Sequence, residues 1–249
     1  MNKKHGPQIE IKQEFQHYFD SFDLQGSFIM YDLNKGSYLY VNPDQKDIEF
    51  PPASTFKICN SLIGLETGVI EDENFVIPWD SVQRNFSAWN QDINLSQAIK
   101  YSVVWYYQEL ARRVGEQRMQ EWITKSQYGN EEIGGGIDQF WLRGDLRITP
   151  QQQIEFLKRL YRNELPFSNK NQETVKRIMI VEETPDYTMH AKTGWALVNN
   201  TGWYIGYVEK EHNVYFFVTC VQGNDFNMEN FGTARIEITR NILIELGII

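Results

Sequence analysis

Hydrophobic and polar positions along the chain change period twice. Residues 9–20 (IEIKQEFQHYFD) suit a short amphipathic helix. GSFIMYDLNKGSYLYVN then carries two β-rich runs around Asn34-Lys35-Gly36 and predicts a hairpin. From about residue 54 to 180 helical spacing takes over. It is clearest in INLSQAIKYSVVWYYQELARRVG, ITPQQQIEFLKRLYRN and NQETVKRIMIVEE. Strand patterns return in TMHAKTGWAL, TGWYIGYVEK and HNVYFFVTCVQ, with Glu211-His212 at the turn between the last two. GTARIEITRNILIELGII closes the chain as an amphipathic helix.

Strands at both ends of a helical middle imply an α+β (αβα) fold. Its mixed, largely antiparallel sheet would be built from both termini and flanked by helices. We expect a single domain over 1–249 with two sublobes, one of 8–53 plus 184–249 and one, mainly helical, of 54–183. The cleft between sublobes is the natural binding site. No internal repeat, low-complexity tract or linker divides the chain.

Composition narrows the possible partners. At 41% hydrophobic and 14% aromatic residues the chain can fill a large core, and its net charge of −9 argues against nucleic acid. Small molecules or proteins remain. No run of apolar residues reaches membrane-spanning length. MNKKHGP has the basic flavour of a signal n-region, but QIEIKQEFQ is no apolar h-region. Either the protein is cytosolic or its export leader is absent from this sequence. Cys59 and Cys220 read as buried free thiols. His5, His17, His190 and His212 form no zinc motif, no G-x-S-x-G elbow is present, and Gly134-Gly135-Gly136 lacks the lysine of a phosphate loop.

The candidate chemistry starts in PPASTFKICNSLIGLETGVI, where Ser54 and Lys57 stand one turn apart at a helix start. The apolar positions of this helix cover most of its sides, which predicts burial. A buried lysine loses proton affinity, and a neutral amine can act as a base or react with CO2. First-turn N–H groups can stabilise an oxyanion beside Ser54. Alone, S-x-x-K is a helix cap followed by a solvated lysine. Two distant matches change that reading: Lys192-Thr193-Gly194 in a predicted strand, and Ser102-Val103-Val104 in a helical region. S-x-x-K with S-D-N and K-T-G marks penicillin-recognising serine enzymes, and here the middle element is altered.

On STFK (54–57), SVV (102–104), YGN (128–130), FWLRGDLRIT (140–149) and KTGW (192–195), the chain resembles a class D, oxacillinase-type serine β-lactamase. The resemblance runs from about residue 27 to the C-terminus. It implies a penicillin-recognising serine acyltransferase fold and hydrolysis of β-lactam antibiotics, with Ser54 as the acylated nucleophile. Lys57, N-carboxylated by CO2, would be the general base of both half-reactions, with the carbamate held by Trp141. Ser102 would pass a proton to the lactam nitrogen. Backbone N–H groups of Ser54 and Trp195 would form the oxyanion hole. Lys192, Thr193, Gly194 and Arg235 would serve the substrate carboxylate, and Val104 and Leu142 the apolar wall. Tyr128, Gly129 and Asn130 would be architectural. The resemblance implies no metal or separate cofactor, and a periplasmic or secreted enzyme. No feature decides between a monomer and a homodimer.

Several of these residues have plainer readings. Tyr128-Gly129-Asn130 alone is a turn, Trp141 alone is core, Arg235 on an exposed helix is a solvated charge, and Trp105, Tyr106 and Tyr107 are packing, with one of them a candidate to line the cleft. Glu71-Asp72-Glu73 is a solvated loop, while Phe86, Trp89 and 196–202 are candidates to shape the cleft. The rival reading is the sensor domain of a membrane-bound β-lactam receptor, which acylates and stays acylated. Such sensors carry a polar residue where this chain has Val104, so Val104 favours the hydrolase. A penicillin-binding transpeptidase stands third, since its middle motif would end in asparagine and its chain would be larger.

Overall fold

The computed structural model describes residues 6–223 and 228–249. It begins with a strand, not a helix: β1 (Gln8–Ile11) is followed by a 3-10 turn and the short α1 (Gln16–Asp20). The first half of the predicted 9–20 helix is therefore corrected. Ile9 and Ile11 lie on a sheet edge beside β3, in parallel register. The predicted hairpin forms as β2 (Gln25–Asp32) and β3 (Ser37–Val41).

The middle of the chain holds α2 (Lys57–Glu66), a two-strand ribbon of β4 (Val76–Ile77) and β5 (Ile93–Asn94), and α3 (Leu95–Lys100). Next come α4 (Val104–Val114), α5 (Glu116–Ser126), α6 (Pro150–Tyr161) and α7 (Asn169–Ile178). Thr149 starts α6 with a reciprocal capping box to Gln152, and Pro150 takes the first helical position, where a missing N–H costs nothing. The last part of NQETVKRIMIVEE leaves the helix and forms the edge strand β6 (Ile180–Glu183), so the sheet begins before residue 184. β7 (Tyr187–Ala196), β8 (Thr201–Lys210) and β9 (Asn213–Gln222) follow as expected, Glu211 making the tight turn at φ +53°, and α8 (Met228–Glu245) closes the fold.

The seven-stranded sheet runs β1-β3-β2-β9-β8-β7-β6 and is antiparallel except for β1–β3. Its inner strands are apolar on both faces because both faces are covered, hence the nearly continuous runs such as VYFFVTC. In β9, Phe216, Val218 and Cys220 face the large core under the helical lobe. Phe217 and Val221 face the second core, under α1 and α8. These two cores give the expected three layers. Cys59 and Cys220 are buried free thiols. Among the described residues no helix is long and apolar enough to cross a membrane.

Candidate active site

Ser54 lies in a 3-10 turn, Ala53–Phe56, that runs directly into α2. Ala53 holds a φ of +47°, a backbone state that costs a residue with a Cβ about 1–3 kcal/mol and persists only when its surroundings fix it. Those surroundings are visible. The Ala53 N–H donates to the Trp141 carbonyl at 2.9 Å, and Trp203 Nε1 donates to the Pro51 carbonyl at 2.9 Å. Thr55 Oγ1 donates to the Pro52 carbonyl at 2.7 Å and accepts from Gln153 Nε2 at 2.9 Å. Sheet, α6 and the Trp141 loop thus clamp one turn, leaving Ser54 partly exposed at its outer side.

Every residue from Lys57 to Leu65 is buried, as the all-round apolar pattern of α2 predicts. Lys57 is 0% exposed, and Nζ donates to the Ser102 carbonyl at 2.6 Å and to Ser102 Oγ at 3.0 Å. The Tyr107 ring lies beside the amine, its centroid 5.4 Å away. Among the described residues no carboxylate pairs with the amine. Burial first, and the nearby Lys192 ammonium second, push the Lys57 pKa well below that of an ordinary lysine.

Ser102 is not inside a helix, contrary to the sequence reading. It sits in the break between α3 and α4 at a φ of +52°, which turns its carbonyl and hydroxyl together toward Lys57. The same hydroxyl accepts from Lys192 Nζ at 2.9 Å. One oxygen therefore bridges two lysines 135 positions apart in sequence. Burial, then the charge of Arg235, lowers Lys192 to about 7. Arg235 is buried, 7% exposed, which sets aside its plainer reading as a solvated charge; its guanidinium donates to the Phe231 carbonyl at 3.0 Å and lies 5.8 Å from the Trp195 ring centroid. Burial alone lowers its pKa to about 10. Among the described residues neither Lys192 nor Arg235 has an acidic partner, so this end of the site has a net appetite for an anion.

Strand β7 reaches the nucleophile through a gap in the sheet. β6 pairs with it only as far as His190, and the Ala191 N–H turns to the Met179 carbonyl at 2.9 Å. Beyond that point the outer edge of β7 faces the Ser54 turn. Gly194 permits the approach: a Cβ there would stand 2.9 Å from the Pro52 carbonyl oxygen and 3.0 Å from Thr55 Cγ2. Ser54 and Trp195 consequently border the same cleft of about 530 Å³, with Val104 and Leu142 on its walls. Leu197 and Val198 extend it, whereas Phe86 and Trp89 do not line it and pack on each other instead.

Trp141 is fully buried, and its Nε1 has no hydrogen-bond partner among the described residues. Tyr128-Gly129-Asn130 supports the loop that carries it. The Asn130 N–H donates to the Arg147 carbonyl at 2.9 Å, and its side-chain oxygen accepts from the Arg147 N–H at 2.9 Å. Its side-chain amide donates to the Asp145 carbonyl at 3.0 Å. Gly129, at φ +59°, lies so close that a Cβ would meet the Arg147 carbonyl oxygen at 2.0 Å. The buried Tyr128 ring packs edge-on against Phe56 and Phe156. Sequence reasoning missed Gln153 and Trp203 as parts of the site, and named Tyr107 only with Trp105 and Tyr106, as packing or one cleft-lining residue. Gln153 lies 98 positions from Thr55, and its only advance signal was a polar residue on an apolar helix face. Among the described residues no three His, Cys, Asp or Glu side chains gather to hold a metal.

Residues 26–244 match the penicillin-binding protein transpeptidase domain. The chain is 43% identical to the probable β-lactamase YbxI of Bacillus subtilis (strain 168), covering 91% of this chain and 83% of that one. It is similar to the crystal structure of the class D β-lactamase YbXI from Nostoc, at 47% identity and a TM-score of 0.90 over 94% of this chain and 99% of that one. The regulatory protein BlaR1 of Bacillus licheniformis is 35% identical over 98% of this chain, which spans 40% of that longer protein.

Proposed function

The chain belongs to the class D β-lactamases, within the penicillin-binding-protein transpeptidase family, and we propose that it hydrolyses β-lactams through an acyl-enzyme on Ser54. The observation that carries the reading is the bridge of Lys57 and Lys192 through Ser102 Oγ, beside a serine held at the floor of a cleft. In the proposed reaction Ser54 Oγ attacks the lactam carbonyl as its proton is withdrawn. Backbone N–H groups of Ser54 and Trp195 receive the developing oxyanion. As the C–N bond breaks, Ser102 passes a proton to the departing nitrogen and is resupplied by Lys192, which donates to it. Lys192, Thr193 and Arg235 hold the substrate carboxylate, which meets the positive charge of Lys192 and Arg235 and the Thr193 hydroxyl. Water then attacks the ester, releases the ring-opened acid and returns Ser54.

The surroundings of Lys57 suit a carbamate. Its amine is driven toward neutrality, Trp141 Nε1 is a buried donor lacking an acceptor among the described residues, and Val104 and Leu142 supply apolar walls. CO2 bound there would supply the oxygen base that serves both acylation and deacylation. A periplasmic or extracellular setting, with antibiotic resistance as the consequence, is the part of this proposal that follows from the substrate.

The match to a regulatory protein over nearly the whole chain supports one rival, a sensor that is acylated once. Mixing the purified protein with excess chromogenic cephalosporin and following product and intact mass together separates the two. We expect many turnovers per molecule with a transient adduct on Ser54. One stoichiometric burst and a lasting adduct would replace the hydrolase with the sensor, and no adduct at all would remove Ser54 as nucleophile.

A further inference from the structure

Arg143 is the one charged residue among those lining the 530 Å³ cleft. It follows Leu142 on the Trp141 loop and is exposed. Its guanidinium has no ion pair or side-chain hydrogen bond among the described residues. Asp145, the nearest acidic residue in sequence, makes no ion pair with it, and Asp138 is already taken by Arg112 at 2.6 Å. The other lining groups are neutral: Gln108 and Gln139, the apolar Val104, Leu142, Leu197 and Val198, and Ser54 and Trp195 at the floor. Of the other cations near the reacting centre, Lys57 is buried against Ser102, and Lys192 and Arg235 lie at the carboxylate-holding end.

Resting on the hydrolase reading above, we propose that Arg143 selects β-lactams whose acyl side chain carries a second anionic group. The direction of the substrate follows from β7. With the nuclear carboxylate at Lys192 and Thr193 and the carbonyl at Trp195, the acyl substituent continues along the strand toward Leu197 and Val198. From Thr193 to Leu197 an extended chain runs about 13 Å. Over that span the substituent passes between the apolar turn after β7 and the loop bearing Leu142 and Arg143. A plain aryl or alkyl group fills the apolar part and leaves Arg143 in water. A carboxylate or sulfonate on the carbon next to the side-chain carbonyl meets the guanidinium at the cleft mouth. The pairing is partly solvated, so its effect is modest and falls with ionic strength. It adds an attraction for dianionic substrates and a repulsion against ammonium-bearing ones, and leaves neutral side chains alone.

Three penicillins that share a phenylacetyl skeleton test this: benzylpenicillin, its α-carboxy derivative and its α-amino derivative. We expect Arg143→Ala to lower kcat/KM for the α-carboxy compound three- to tenfold and to leave benzylpenicillin within twofold. Arg143→Glu should lower the α-carboxy compound further and raise the α-amino compound, while Arg143→Lys keeps most of the preference. Raising salt from 20 to 500 mM should shrink the wild-type ratio of α-carboxy to unsubstituted substrate. Equal changes for all three substrates, or no change for any, would overturn the selection. Failure of the wild type to turn over any of them would instead remove the hydrolase reading, and this inference with it.

Discussion

Trp141 carries a buried donor with no acceptor among the described residues. A buried N–H left without an acceptor costs roughly 1–3 kcal/mol, and a folded chain keeps one where an acceptor arrives later. Trp141→Phe retains most of the ring packing against Phe56 and Phe140 and removes only that donor. We expect it to match or exceed wild-type stability while losing turnover at ambient bicarbonate. A hydrogen bond to a charged group is worth about 1.5–3 kcal/mol, so CO2 capture should weaken roughly ten- to a hundredfold and recover partly with added bicarbonate. Carbon-13 bicarbonate with NMR detection of a carbamate reads capture directly. Wild-type turnover and wild-type bicarbonate response would release Trp141 from this role. The pH dependence has a fixed sign: below the lowered pKa of Lys57 the amine is protonated and cannot hold CO2, so activity falls on the acid side. The lysine's burial was legible at this scale, from apolar residues all round α2. The orphaned indole was not, because a missing partner is a property of the packed site.

Loops and helix ends fix those residues, and here spacing alone was least informative. The break at Ser102 contains neither glycine nor proline, so SVV reads as one helix continuing. In the fold, Val103 instead returns its N–H to the Ala98 carbonyl at 2.9 Å and the chain restarts at Val104. β6 was hidden in the same way: it follows α7 after the single residue Met179, and four residues are too few to show a period. In β1 the alternating IEI is equally compatible with a helix start, and only pairing with β3 decides. By contrast, Tyr128-Gly129-Asn130 was read correctly as a turn, and its purpose now has a geometry. Gly129→Ala would face both the left-handed φ and the Arg147 carbonyl. We expect a loss of roughly 2–4 kcal/mol in urea unfolding, together with reduced turnover as the Trp141 loop shifts. A variant with wild-type stability would show that the loop does not need this close approach.

At the scale of the whole molecule the sheet was legible because its strands are long, apolar and punctuated by turns. Two termini flanking a helical middle leave few ways to close such a sheet. The convergence of Lys57, Lys192 and Arg235 was not legible as geometry, since it arises only when three layers bury positive charge with no acidic partner among the described residues. That arrangement sets how stability responds to pH. Lys192 is lowered from 10.5 to about 7 and Lys57 is lowered well below 10.5, so between pH 7 and 10 the unfolded chain binds protons that the folded chain does not. Stability must then rise with pH over that window, by about 1.4 kcal/mol per pH unit for each proton of difference. Buried tyrosines act in the opposite sense. Tyr40 and Tyr204 are raised to about 12, chiefly by burial, and ionise on unfolding above pH 10. Urea unfolding in degassed buffers, which keeps CO2 from contributing, should therefore show a maximum near pH 9–10. Lys192→Met, of similar length and without charge, should flatten the rising limb and leave the alkaline fall in place. Stability that declines from pH 7 to 9, or a rise unchanged in Lys192→Met, would mean that the buried lysine stays protonated. The proton relay proposed for Ser102 would then lack its poised donor.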